Sequence, residues 1–181
     1  MPTSEKLKVV EDYNLMGGRI YDLRYSEEQQ EKYDIIQRHM GTRPTGSVLD
    51  LGCGTGLLLQ RLDPPTVGLD ISEALLTTAR ERLKDKPASN LVRGDAETLP
   101  FRDSTFHLSY AVTLLQNTPD PIQVLKEIRR VSTEESRVAI TALKKSFTRT
   151  HFESVLAQSN FDNHSLIEEK DTRDWIAIAT V

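Results

Sequence analysis

The chain has 181 residues, 38% hydrophobic and 28% charged, with a formal net charge of −4. That length suits one sheet covered on both faces, and the acidic balance argues against broad electrostatic binding to nucleic acid. Composition also excludes a membrane-spanning protein, because no apolar run approaches the roughly 18 residues a span requires.

The N-terminus lacks the basic start and apolar core of a secretory signal, and one cysteine, Cys53, forms no internal disulfide. Both features predict a cytoplasmic setting. The four histidines, His39, His107, His151 and His164, are scattered without metal-ligand spacing, so no bound metal is predicted.

Taken in order, residues Glu5 to Asn14 and Ser26 to Met40 read as helices, the second with Ser26 as N-cap and acids in its first turn. Between them Gly17 and Gly18 break the pattern and expose Arg19, Tyr21, Arg24 and Tyr25. This stretch reads equally as a flexible lid or as a connector with its tyrosines packed on the core. Residues 1–45 are thus expected to form N-terminal helices and a lid, and 46–181 an α/β core, in one domain overall.

The core opens with VLDLGCGTG, Val48 to Gly56. An apolar strand stops at Asp50 and runs into Gly52, Gly54 and Gly56, which let the backbone take positive φ and let a ligand approach the main chain. A short helix over Leu57 to Leu62 ends at Pro64 and Pro65, and the strand Thr66 to Leu69 ends in Asp70. Ser72 caps the next helix, with Leu75, Leu76, Ala79 and Leu83 on one face. Leu91 and Val92 form a third strand before Gly94 and Asp95, and Thr105 to Val112 a fourth. Pro119 and Pro121 bracket a helix to Val131. Arg137 to Leu143 is a fifth strand, Thr150 to Ser159 a helix, and Ser165 to Lys170 and Trp175 to Val181 closing strands. This alternation predicts a doubly wound α/β fold: a mostly parallel seven-stranded sheet, helices on both faces, and one antiparallel strand near the C-terminus.

Val48 to Gly56 resembles the nucleotide-loop motif of class I S-adenosylmethionine-dependent methyltransferases, of the small single-domain type. GDAETLPF, from Gly94, and FHLSYAVTLLQNTPDP, from Phe106, resemble further segments of that family. The resemblance implies S-adenosylmethionine as cofactor. Asp70 would accept from the ribose hydroxyls, as an acid ending the second strand does for dinucleotides. Ile71 would pack on the adenine, with Asp95 accepting from its amine and the Ala96 N–H bonding its ring. Asp50 and the carbonyls near Gly52 would hold the α-ammonium, and N–H groups of the Gly54 to Gly56 turn would face the carboxylate. Cys53, as a small residue of the turn without chemistry of its own, and Val112 complete the cofactor-binding set.

Two departures from the family pattern bear on the acceptor. His107 replaces an aspartate, and Gln116 and Asn117 stand where two histidines often occur. Gln116, Asn117 and Tyr21 are the candidate catalytic residues, and no imidazole base is expected. The short segment KKSFTR after the fifth strand leaves an open site bordered by Lys144, Lys145 and Arg149, which favours a macromolecular acceptor, RNA or a translation-related protein. Small methyltransferases of this kind work with a small zinc-containing activator protein, so such a partner is expected.

Other functions fit less well. A non-catalytic module that binds the cofactor or a partner would keep the same motifs. An aminopropyl transferase would need paired acids where Ser109 and Tyr110 stand. An NAD-dependent enzyme would want glycine at Leu57.

Overall fold

The computed structural model describes residues 4–41, 46–63, 65–169 and 172–181. It forms seven strands, β1 Val48–Leu51, β2 Thr66–Asp70, β3 Ser89–Arg93, β4 Phe106–Ala111, β5 Ser132–Leu143, β6 His164–Ile167 and β7 Asp174–Thr180. The helices are α1 Ser4–Met40, α2 Leu57–Arg61, α3 Glu73–Arg82, α4 Pro121–Val131 and α5 Arg149–Gln158, with one 3-10 turn at Leu115–Asn117.

The sheet order is β3-β2-β1-β4-β5-β7-β6. β1 pairs in parallel with β2 and β4, reversing the winding direction at that point, so the C-terminal ends of β1, β2 and β4 border a crevice. β7 runs antiparallel to both β5 and β6, the single reversed strand that the sequence leads one to expect.

Side-chain alternation along β1 divides the core. Leu49 and Leu51 join Val124, Leu125, Ile128, Phe152 and Leu156 on the α4–α5 face. Val48 joins Leu108 and Tyr110 under Tyr33, Ile36 and Met40 of α1 and Leu57 and Leu58 of α2. Asp50, two residues on from Val48, therefore points into the α1 face, where it is 3% exposed.

Three expectations change. The stretch between the two N-terminal helices is neither loop nor lid coil. It is helical, and α1 is interrupted only at Gly17, whose φ of 66° and ψ of 159° suit glycine alone. Ser26 consequently lies inside the helix and caps nothing. β5 starts at Ser132, five residues before Arg137, because a register shift between Phe106 and Leu108 lets residues 133–136 bulge and hides the alternation. Pro64 and Lys170 lie outside the described residues. Among the described residues no helix is long and apolar enough to cross a membrane.

Candidate active site

The chain turns sharply where β1 stops. Gly52, Gly54 and Gly56 have φ of 75°, 53° and 77°, and the Gly52 and Cys53 N–H groups both donate to the Leu69 carbonyl, at 2.7 and 3.0 Å. Asp70, at the end of β2, clamps this turn to the next. Its Oδ2 accepts from Gly54 N and its Oδ1 from Ser72 N, each at 2.8 Å. A carboxylate has about four acceptor positions, so these bonds leave acceptor capacity for a ligand.

A cleft of about 720 Å³, including solvent at its mouth, opens over this turn. Ile71, Leu75, Ala96 and Val112 give it apolar walls, and Asp70 and Asp95 stand on its rim. The Ala96 N–H bonds no acceptor among the described residues. The first half of α1 roofs the cleft with Lys6, Val9 and Tyr13. Lys6 Nζ lies 2.6 Å from both Asp95 Oδ2 and Glu97 Oε2, and the Asn14 side chain accepts from Ser72 Oγ at 2.7 Å. Past the break at Gly17, Tyr21 packs between Tyr13 and Tyr25, with ring centroids 6.1 and 5.1 Å apart.

The structure thus brings Gly52, Gly54, Asp70, Ile71, Asp95, Ala96, Val112, Tyr21 and Asn117 to one cleft. Asp50, Cys53 and Gly56 do not line it. Cys53 is buried with Leu59, Leu76 and Leu83. Gly56 packs on α3, where a Cβ would stand 3.2 Å from Ala79 Cβ. The turn also offers fewer free N–H groups than expected, since Gly54 N is held by Asp70 and Gly56 N by the Cys53 carbonyl at 2.9 Å.

A second cleft of about 1230 Å³, again including solvent at its mouth, adjoins the first, and both are lined by Tyr13, Tyr21, Thr113 and Asn117. Gln116, Gln29, Tyr25 and Lys145 line the second alone. Of the three basic residues expected at its border, Lys144 donates to the Thr172 carbonyl at 2.8 Å and lies 5.1 Å from the Trp175 ring centroid. Arg149 is paired with Glu153 and Glu168. Lys145 is left exposed on the rim.

A buried polar hub that sequence reasoning missed joins these clefts to the sheet. Lys32 Nζ lies 2.6 Å from Asp174 Oδ2 and donates to Thr113 Oγ1 at 2.6 Å. Thr141 Oγ1 donates to Asp174 Oδ1 at 3.2 Å and accepts from Thr113 N at 2.8 Å. These bonds hold Thr113, a β-branched residue, at φ 56°, a conformation that costs energy and is found where a site over-determines the backbone. The signal that was available is the spacing of residues 18, 21, 25, 29, 32, 33 and 36, one helical face across the supposed loop.

The electrostatics favour cations and neutral donors. Burial, then the charge of Asp70, pushes the Asp50 carboxyl up to about 8, and among the described residues no donor bonds it. Burial also raises Asp70, against the N–H groups of Ser72, Gly54 and Ile71. Burial, then Tyr13, Asp70 and Asp50, holds the Tyr21 phenol far above its ordinary value, so Tyr21 is a proton-bearing donor rather than a base.

A doubly wound sheet with a glycine turn after β1, an acid ending β2 and a cleft over both defines a class I S-adenosylmethionine-dependent methyltransferase. The chain belongs to the methyltransferase-domain family, whose profile matches residues 49–140. It is 36% identical over 130 residues to the demethylmenaquinone methyltransferase of Staphylococcus aureus, an alignment covering 68% of this chain and 54% of that protein. The chain spans about half, or less, of the length of the curated relatives it matches. Its fold is that of a chain in the complex of the Haloferax volcanii Trm112 methyltransferase activator with a methyltransferase, at TM-score 0.77 and 16% identity over 95% and 96% of the two chains. A Methanococcus maripaludis protein described as an S-adenosyl-L-methionine-dependent methyltransferase matches at TM-score 0.73 and 16% identity, over 99% and 95%.

The cofactor of this class is S-adenosylmethionine, and the residues present fit it. The cleft offers spare acceptor positions on Asp70, an unpaired N–H at Ala96, an apolar wall at Ile71 and a bare backbone at Gly52, where a Cβ would come 3.0 Å from Leu114 Cδ1.

Proposed function

We propose that this chain holds S-adenosylmethionine in the first cleft and directs its methyl group to a polar acceptor entering by the second. The observation that carries this reading is the junction itself, where Tyr13, Tyr21, Thr113 and Asn117 line both clefts. When bound, S-adenosylmethionine supplies an electrophilic methyl on a sulfonium. Asp70 would take the ribose hydroxyls, and Asp95 and Ala96 N–H the adenine edge once Lys6 yields part of its hold on Asp95. The Gly52 backbone forms the end suited to an ammonium, with the Asp50 carboxyl buried outside the cleft lining.

Around the junction this chain's own work is positioning and exclusion of water. The phenols of Tyr13 and Tyr21 stay protonated, and Thr113 and Asn117 carry a hydroxyl and an amide, so none of the four residues shared by the clefts is a general base. The acceptor must already be nucleophilic, and its rate advantage comes from being held in place.

For the acceptor we favour a group carried on RNA or on a translation-related protein, with a small zinc-containing activator as partner. The connection after β5 has only residues 144–148 before α5, which leaves the second cleft open. The Haloferax chain, matched over almost its whole length, is one seen with an activator. A small-molecule acceptor is the second reading, favoured by the Staphylococcus relative.

The test is transfer of tritiated methyl to RNA, protein and small-molecule fractions of the source cells, with and without any co-purifying small protein. Label in RNA or protein is expected. Label confined to small molecules selects the second reading, and label in none, with cofactor bound, leaves only a non-catalytic binding module.

A further inference from the structure

Two glutamines from opposite sides of the second cleft turn their amide nitrogens to the same residue. Gln29 Nε2, from α1, donates to Thr113 Oγ1 at 3.4 Å. Gln116 Nε2, from the 3-10 turn, donates to the Thr113 carbonyl oxygen, which also accepts from Asn117 Nδ2 at 3.3 Å. The opposite amide oxygens, Gln29 Oε1 and Gln116 Oε1, are buried, and neither has a hydrogen-bond partner among the described residues.

The Gln116 amide cannot turn over to relieve this. A flipped Gln116 would set its oxygen against the Thr113 carbonyl, acceptor against acceptor. Thr113 Oγ1 accepts from Lys32 at 2.6 Å and lies 3.5 Å from Asp174 Oδ1, and with its hydrogen turned to that carboxylate it accepts from Gln29. The Thr113 carbonyl therefore sets the orientation of the Gln116 amide, and the Lys32–Asp174 pair, through Thr113 Oγ1, favours that of Gln29. An acceptor cut off from water and from donors is unfavourable; a donor in the cleft that draws the glutamine side chains toward it removes that penalty. Gln29 is 4% exposed, so the surrounding fold holds it without alternative partners.

We infer that Gln29 and Gln116 determine acceptor specificity: the second cleft takes a group that presents N–H or O–H hydrogens, an amine, amide or hydroxyl, and discriminates against a hydrogen-free counterpart of the same shape. The inference rests on the second cleft being the acceptor side. Tyr13, Tyr21 and Tyr25 line the same cleft and suit a group attached to a flat ring.

Phenol and anisole, which share a ring and differ in the O–H, are the probes. Each is titrated by NMR into nitrogen-15-labelled full-length protein saturated with S-adenosylhomocysteine, following the Gln29 and Gln116 side-chain amide signals. Phenol should bind about tenfold or more tightly than anisole, the discrimination expected of a site built around hydrogen bonding. Gln116→Met, of similar length and without an acceptor, should bring the ratio close to one, and Gln29→Met should reduce it independently. Unchanged S-adenosylhomocysteine affinity in the variants shows that they are folded. Equal affinities in the wild type, no phenol binding, or a ratio unmoved in both variants overturns the inference. This readout needs no methyl transfer, so failed transfer counts against the proposed function and equal probe affinity against the glutamine assignment.

Discussion

The ammonium of Lys32 lies 2.6 Å from the carboxylate of Asp174, with the two side chains 2% and 0% exposed. This pair joins the second half of α1 to the start of β7 directly behind Thr113, where the two clefts meet. Removing one partner strands a buried charge, which is far more costly than replacing both. Lys32→Met should therefore lose about 3–5 kcal/mol of unfolding free energy. Lys32→Met with Asp174→Asn should recover most of it, because the Thr141 hydroxyl still has an acceptor. Urea denaturation of the two variants beside the wild type reads the difference.

The second half of α1 starts at Gly18, and contact with α3 requires that glycine. A Cβ there would stand 2.0 Å from Thr78 Oγ1 and 2.5 Å from Thr78 Cβ. Gly18→Ala should cost about 1–3 kcal/mol, the usual range for overpacking. Thr78→Gly, which removes Oγ1 and Cβ together, should make Gly18→Ala less costly than it is in the wild type. If Gly18→Ala costs as much in the Thr78→Gly background as in the wild type, read by thermal or urea melts, the α1–α3 contact is not the cause.

The buried acids give the ligand-free protein a stability that falls as pH rises. Asp50 is pushed from 3.8 up to about 8, by burial first and then by Asp70, and Asp70 is raised by burial. A raised carboxyl holds its proton longer in the folded state than in the unfolded one. Its contribution is full below pH ~4 and is lost as pH rises towards about 8, at no more than about 1.4 kcal/mol per pH unit for each group. Asp50→Asn should flatten the profile between pH 5 and 8 in urea melts. A slope identical to the wild type would contradict this origin.

Much of the core was legible because its signals are local. The run Val48 to Gly56 puts strand, carboxylate and three glycines within nine residues, and Asp70 and Asp95 follow their own strands directly. α1 was less legible, because two adjacent glycines weigh as a break even where only Gly17 leaves helical geometry and Gly18 is there to fit Thr78. The Lys32–Asp174–Thr113 hub was the least legible, since only the helical spacing of Lys32 hinted at it. Its members come from opposite ends of the chain, and a lone lysine on a charged helix reads as surface. The same is true of Lys144 and Arg149, which look free in sequence and are engaged in the fold by Thr172, Trp175, Glu153 and Glu168.

Everything proposed for the second cleft depends on the first holding the methyl donor, with Asp70 as its anchor between the glycine turn and α3. Isothermal titration with S-adenosylmethionine, on the wild type and on Asp70→Ala, tests that most directly. The account predicts one site per chain, weakened roughly tenfold to a hundredfold in Asp70→Ala, the worth of a charge-assisted hydrogen bond at about 1.5–3 kcal/mol. Absence of binding to the folded wild type, or equal affinity in the two proteins, would contradict it.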